Sequence, residues 1–220
     1  MHAEATDMLW SEPLFMQLLI VAACLIFMAT ITPTINVMSS LLRCVVRAKE
    51  SEFLFNAVSL SRCRNYACLG VALPVIIICA RFSLVPLPSF LHADTVALKL
   101  LYTSAVIAAY IIARIACRTL LRSRRTDRKK WQCACSIPYT FFALGGTAVI
   151  ITSIICLLSG ICDDITASIL LWETAAIYTL CLIRKMEIFT HFRGFFAAFL
   201  YLCTLEILPA GIFVAAAIFS

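Results

Sequence analysis

The chain has 220 residues, 63% hydrophobic and 14% charged, with a mean hydropathy of +0.99; soluble domains carry roughly 45 to 50% apolar and about a quarter charged residues. A water-soluble fold of this length cannot hide so much apolar surface around one core, which excludes the soluble classes and leaves an integral membrane protein. Lysine and arginine total 18 against 12 aspartate and glutamate, a net charge of +6, and in a membrane protein such an excess belongs first to cytoplasmic loops.

The amino-terminal tail carries Glu4, Asp7 and Glu12 and no lysine or arginine, opposite to the positive start of a cleavable signal peptide. The first apolar run is therefore read as a retained helix. Crossing roughly 30 Å of hydrocarbon takes about 20 residues, and runs of that kind fall at 14–36, 67–87, 96–117, 138–160, 165–184 and 196–219. The first has no charge as far as Leu42, but Pro33 and Asn36 point to a bend or to the end of its spanning part. The second contains Pro74 and finishes at Pro86 and Pro88.

Charge in the connections sets the orientation. Arg43, Arg47, Lys49, Arg62 and Arg64 lie between the first two runs, Arg122 to Lys130 between the third and fourth, and Arg184, Lys185 and Arg193 between the fifth and sixth. The other connections hold His92 with Asp94, and Asp163 with Asp164. This alternation predicts an all-α, polytopic membrane bundle of six transmembrane helices, with both termini outside and the basic connections in the cytoplasm.

The connections are too short for a soluble domain, so residues 1–220 read as one integral membrane domain. Within 44–65, Val46, Phe53, Leu54, Val58 and Leu60 interleave with charged residues, as in a cytoplasmic interfacial amphipathic helix; an irregular loop or a protein-covered hairpin is the other reading. Residues 118–137 form a basic cytoplasmic loop. No internal repeat is evident, which leaves an inverted-repeat carrier unsupported.

Glu206 stands out because it falls near the middle of the last run, about 15 Å from its inner end. A carboxylate at that depth faces the bundle interior, a wet cavity or another subunit rather than lipid. Pro209 cannot donate to the carbonyl of Leu205, which leaves an acceptor within one turn of the carboxylate. A buried structural carboxylate, a subunit contact and a transport position all fit. Arg81 and Glu173 sit at similar depths, about 8 and about 12 Å inside the outer boundary. They could form a buried pair, or a triad with Glu206; alternatively Arg81 snorkels to the headgroups or binds a ligand.

Small residues recur four apart at Ala105, Ala109, Ala113 and Cys117, with a second row at Ser104, Ala108 and Ala116, a pattern that permits close helix contact. Arg122, Arg124, Arg125, Arg128, Lys129 and Lys130 form the densest charge, suited to topology and anionic phospholipid, then to docking an acidic protein. Nucleic acid is the weakest reading of that run. Cys133 and Cys135 lack the spacing and second ligand pair of a metal site, and Cys156 and Cys162 are open to pairing or to plain packing. His2, His92 and His191 are spread too widely for haem or metal. No Ser-His-Asp grouping, Walker glycine run or His-Glu-x-x-His signature occurs, so no catalytic residue, metal or cofactor is assigned and an enzyme is not expected.

The segment Phe199-Leu200-Tyr201-Leu202-Cys203-Thr204-Leu205-Glu206-Ile207-Leu208-Pro209 resembles the terminal signature of a multi-pass inner-membrane family of Bacteroidota, a domain of unknown function. The resemblance implies a bacterial cytoplasmic-membrane location and draws attention to Tyr201, Glu206 and Pro209 as a unit, without transferring a catalytic role. Together these readings favour a non-enzymatic accessory subunit of a cell-envelope complex, partnered by other membrane subunits. A small transporter or proton- or ion-conducting protein using Glu206 comes second, and a membrane enzyme acting on lipid last.

Overall fold

The computed structural model describes residues 14–46, 54, 56–84, 96–120 and 128–193. They form helices α1 (Leu14–Val46), α2 (Val58–Arg81), α3 (Val96–Leu120), α4 (Arg128–Leu158) and α5 (Asp163–Arg193). All five are long and apolar enough to cross a membrane. The chain is thus an all-α, multi-pass membrane protein. The expected sixth span, 196–219, lies outside the described residues.

The helices overrun the apolar runs that announce them. At about 1.5 Å per residue, the 33 residues of α1 extend about 50 Å, and the 31 residues of α4 and of α5 about 46 Å, against roughly 30 Å of hydrocarbon. Most of the excess lies at the basic ends. Pro33 does not end α1: it withholds one backbone donor from the carbonyl of Ala29, yet the helix continues for thirteen residues to Val46. Without water in the bilayer core, leaving the helix would orphan several backbone groups instead of one. The stretch 44–65 is divided, its first residues closing α1 and Val58–Asn65 opening α2, while 47–53 lie outside the described residues. The basic stretch 118–137 is likewise shorter as a connection, because α4 begins at Arg128.

At the opposite end the turns are tight. After α2, Leu84 N–H donates to the Cys79 carbonyl at 3.0 Å with Ser83 at φ +48°. After α4, Ile161 N–H donates to the Cys156 carbonyl at 3.2 Å with Gly160 at φ +65°. Both are six-residue closures of a helix end through a left-handed residue. Asp163 and Asp164 then open α5, where their charge suits the positive end of the helix dipole.

Packing radiates from α2 and α4. α2 lies against α1, α3 and α4, and α4 carries α5. Small residues make the close approaches: a Cβ on Gly70 would overlap the Thr30 side chain of α1, one on Gly146 would overlap Val71 of α2, and one on Gly145 would come within 2.8 Å of Ile177 of α5. Together with the approaches of Cys44 to Arg64, Cys68 to Tyr139 and Thr152 to Glu173, these pairings set α1 antiparallel to α2, α2 parallel to α4 and α4 antiparallel to α5, which gathers the basic ends on one side. The core near that side holds Val37, Leu41, Cys44, Leu54, Ala67 and Ala143. Leu14, Leu18, Leu25, Met28 and Ile35 of α1, and Ile165, Trp172 and Ile183 of α5, are exposed, an apolar exterior suited to lipid.

Candidate functional site

The polar residues of the bundle divide into those satisfied locally and those left with unmet demands. Five buried hydroxyls belong to the first group. Thr34 donates to the Thr30 carbonyl at 2.7 Å, Thr103 to Lys99 at 2.8 Å, Ser136 to Cys133 at 2.7 Å, Thr147 to Ala143 at 2.7 Å and Thr166 to Cys162 at 3.1 Å. Each returns its proton to the preceding turn of its own helix, which makes these groups structural.

The sequence points to Arg81 and Glu173 as a pair, and the structure does not join them. Arg81 is exposed at the end of α2, its guanidinium 5.9 Å from the ring centre of Phe82. Glu173 is half-buried, and its Oε1 accepts from the Thr152 hydroxyl of α4 at 3.3 Å. The second carboxylate oxygen of Glu173 is buried without a hydrogen-bond partner. An arginine on the rim reaches headgroups and an aromatic edge at little cost, whereas pairing with Glu173 would draw it into the bilayer. Glu206, Tyr201 and Pro209 lie outside the described residues.

Two cations that read as loop charge in the sequence are the buried charged groups among the described residues. Arg64 is 5% exposed and Lys185 1%. Arg64 follows Val58 by six residues, and Lys185 sits with Cys181 and Ile188 in the buried stripe of α5. Neither is legible as buried: each stands beside other basic residues in the sequence, and its burial depends on neighbouring helices. The signal available is periodic, since Arg64 shares the face of Ala67 and Val71, and Lys185 that of Cys181 and Ile188.

Beside Lys185, Arg184 points elsewhere. Its Nε donates to the Val45 carbonyl at the end of α1 at 2.8 Å, and its Nη1 pairs with Glu187. Around Arg64 gather Cys44, Cys68 and Cys133, and Tyr139, close enough to feel its charge. Cys68 donates its thiol proton to the Tyr139 carbonyl at 3.0 Å. Among the described residues no three metal-ligating side chains converge, and Cys133, Cys135, Cys156 and Cys162 are reduced thiols that form no disulfide with one another. Of the basic run, Arg128, Lys129 and Lys130 belong to the first turn of α4, while Arg122, Arg124 and Arg125 lie outside the described residues.

Comparison with protein families, with curated proteins and with solved structures finds no match to this chain.

Proposed function

We propose that this protein is a non-enzymatic accessory subunit that assembles with other membrane proteins of a bacterial cell-envelope complex. The observation that carries the reading is α3. It is long and apolar enough to cross the membrane, packs chiefly on α2, and Thr103 is the buried residue among those whose burial is described. Its small residues Ala105, Ala108, Ala109 and Ala116 are exposed, so the ledge that permits close helix contact faces away from the bundle. Lipid fills such a ledge less well than a partner helix does, because association in a bilayer rests on close packing rather than on removing apolar surface from water.

The rest of the reading follows from the sequence. Six spans in the inner membrane put both termini outside and the basic ends in the cytoplasm, where Arg122 to Lys130 meet anionic phospholipid. The carboxyl-terminal resemblance supports a Bacteroidota source, and Glu206 with Tyr201 and Pro209 supplies a second intramembrane contact. A photo-crosslinking residue at Ala109 tests the proposal directly. The expected product is a defined heteromeric adduct that Ala105→Leu reduces without changing the melting temperature; adducts to lipid alone would overturn it.

Transport is the second reading, favoured by the unpartnered oxygen of Glu173. A carboxylate with one arm free inside a membrane is a place where a cation or proton can rest. Solute or proton flux in vesicles reconstituted with the isolated protein, lost in Glu206→Gln or Glu173→Gln while assembly is unchanged, would put transport first.

A further inference from the structure

Arg64 carries the strongest unmet demand among the described residues. It lies about 9 Å along α2 from Val58, inward from the basic end, and is buried among α1, α2 and α4. Its Nη2 donates to Ser61 Oγ at 3.2 Å and to Asn65 Oδ1 at 3.4 Å, neutral acceptors at and beyond the long edge of the ordinary range. Its Nε has no acceptor. Cys68, Cys133, Cys44 and Tyr139 surround it, and none is a carboxylate. The described acids are committed or distant: Glu187 holds Arg184, Glu173 holds Thr152, and Asp163 and Asp164 start α5 at the other end of the bundle. A buried charge is stable when an opposite charge meets it, and the described chain offers this guanidinium only neutral groups.

We propose that Arg64, flanked by Ser61 and Asn65, binds a phosphate-class oxyanion at the basic end of the bundle. A guanidinium grips such an anion through two parallel N–H groups on one edge. On the Nε edge of Arg64 one donor is unused, and Nη2 is engaged by two long contacts that a charged oxygen displaces. Ser61 is half-buried and Asn65 exposed, so the two groups that Nη2 engages reach the surface of the first turns of α2, and an anion gains the covered Nε edge by displacing them. Once an anion is seated, the serine hydroxyl and the asparagine amide turn from acceptors into donors toward it. A phosphate presents its oxygens tetrahedrally, out of a single plane, which suits donors that converge from a guanidinium edge, a serine and an asparagine better than a planar carboxylate does. Arg43 and Arg62, exposed at the same end, add positive potential that concentrates anions there. The phosphate of an anionic phospholipid and free inorganic phosphate share this chemistry. None of its residues belongs to the basic run at 122–130.

The test uses the full chain, delipidated in a maltoside detergent whose head carries no phosphate. Short-chain phosphatidylglycerol, phosphatidylcholine and inorganic phosphate are titrated separately, with sodium chloride matching ionic strength, and thermal unfolding and native mass spectrometry are read together. Phosphatidylglycerol is expected to raise the wild-type melting temperature and to leave one retained lipid per chain, with phosphatidylcholine weaker. Arg64→Gln should lose both responses. Arg64→Lys should bind about tenfold more weakly, the worth of one charge-assisted hydrogen bond. A response to inorganic phosphate without one to phosphatidylglycerol assigns the site to free phosphate and upholds the oxyanion chemistry. If Arg64→Gln does not fold, Asn65→Leu at the exposed edge should weaken binding severalfold. Wild type that answers none of the three probes, or a folded Arg64→Gln that answers like wild type, overturns the proposal.

Discussion

The Arg184 side chain of α5 donates from Nε to the main-chain carbonyl of Val45 at the end of α1, 2.8 Å away and 139 residues earlier in the chain. The last carbonyls of a helix lack partners within it and carry the negative end of its dipole. A cation from another helix therefore answers both needs and ties α5 to α1, which otherwise meet little. Arg184→Leu should lower stability in detergent by about 1 to 3 kcal/mol, the cost of leaving that acceptor unmet. Glu187→Gln should change it by less than about 1 kcal/mol, because its pair with Arg184 is exposed at the surface. Thermal unfolding of the two variants checks the difference.

The approach of α4 to α2 depends on Gly146. A Cβ there would overlap Val71, so Gly146→Ala should cost about 1 to 3 kcal/mol through overpacking. Val71→Ala in the same chain should recover part of that loss, and a double-mutant cycle measures the recovery.

The two turns opposite the basic ends make opposite predictions. Ser83 holds φ +48° without being glycine, and Ser83→Gly should raise stability by up to about 1 kcal/mol by relieving a left-handed residue of its Cβ. Gly160 holds φ +65°, and a Cβ added to it would meet nothing within 4 Å, so Gly160→Ala should lower stability by about 1 kcal/mol from backbone conformation alone. Melting temperatures of the two variants should move in opposite directions.

Arg81 and Glu173 should behave independently. Since Glu173 takes its hydrogen bond from Thr152 and Arg81 lies against Phe82, the effects of Arg81→Gln and Glu173→Gln should add within about 0.5 kcal/mol. Thr152→Val should be the more harmful change near Glu173, by about 1 to 3 kcal/mol, because it removes the donor that Oε1 accepts from. A coupling well above the additive limit would show that the two charges meet.

Cys162 supplies a native probe of orientation, being exposed in the turn between α4 and α5, away from the basic ends. With those ends in the cytoplasm, an impermeant maleimide added outside intact cells should label Cys162. A cysteine introduced at Arg62 should react after the membrane is opened. The reverse pattern would invert the orientation.

The sequence reveals the spans more readily than their ends. Apolar runs at 14–36, 96–117 and 138–160 mark bilayer depth, and α1, α3 and α4 account for them. The helices continue through Arg43 and back to Arg128 because a basic side chain does not end a helix; it marks where the helix meets phosphate. Pro33 reads as a boundary because a proline costs one backbone bond, but ending the helix in hydrocarbon costs more. Arg64 is hidden for a different reason. In the sequence it is one of five cations between the first two spans, and its isolation from every described carboxylate appears when Cys44 of α1 and Cys133 of α4 close around it. Thr152, the partner of Glu173, carries no charge, and 21 residues and a turn of chain separate the two.

The peripheral place of α3 bears on how the protein is made. α1 with α2, and α4 with α5, are neighbours in sequence that also pack on each other, and the two hairpins meet where α2 lies against α4. Each hairpin can enter the bilayer as it leaves the ribosome, and the Gly146–Val71 approach completes the join after the second has been synthesised. α3 then serves as the tether that returns the chain to the basic side, so that α4 can run parallel to α2. None of the pairings within or between the hairpins runs through α3, so a chain severed in the connections on either side of it should retain the helix contacts from which the bundle assembles.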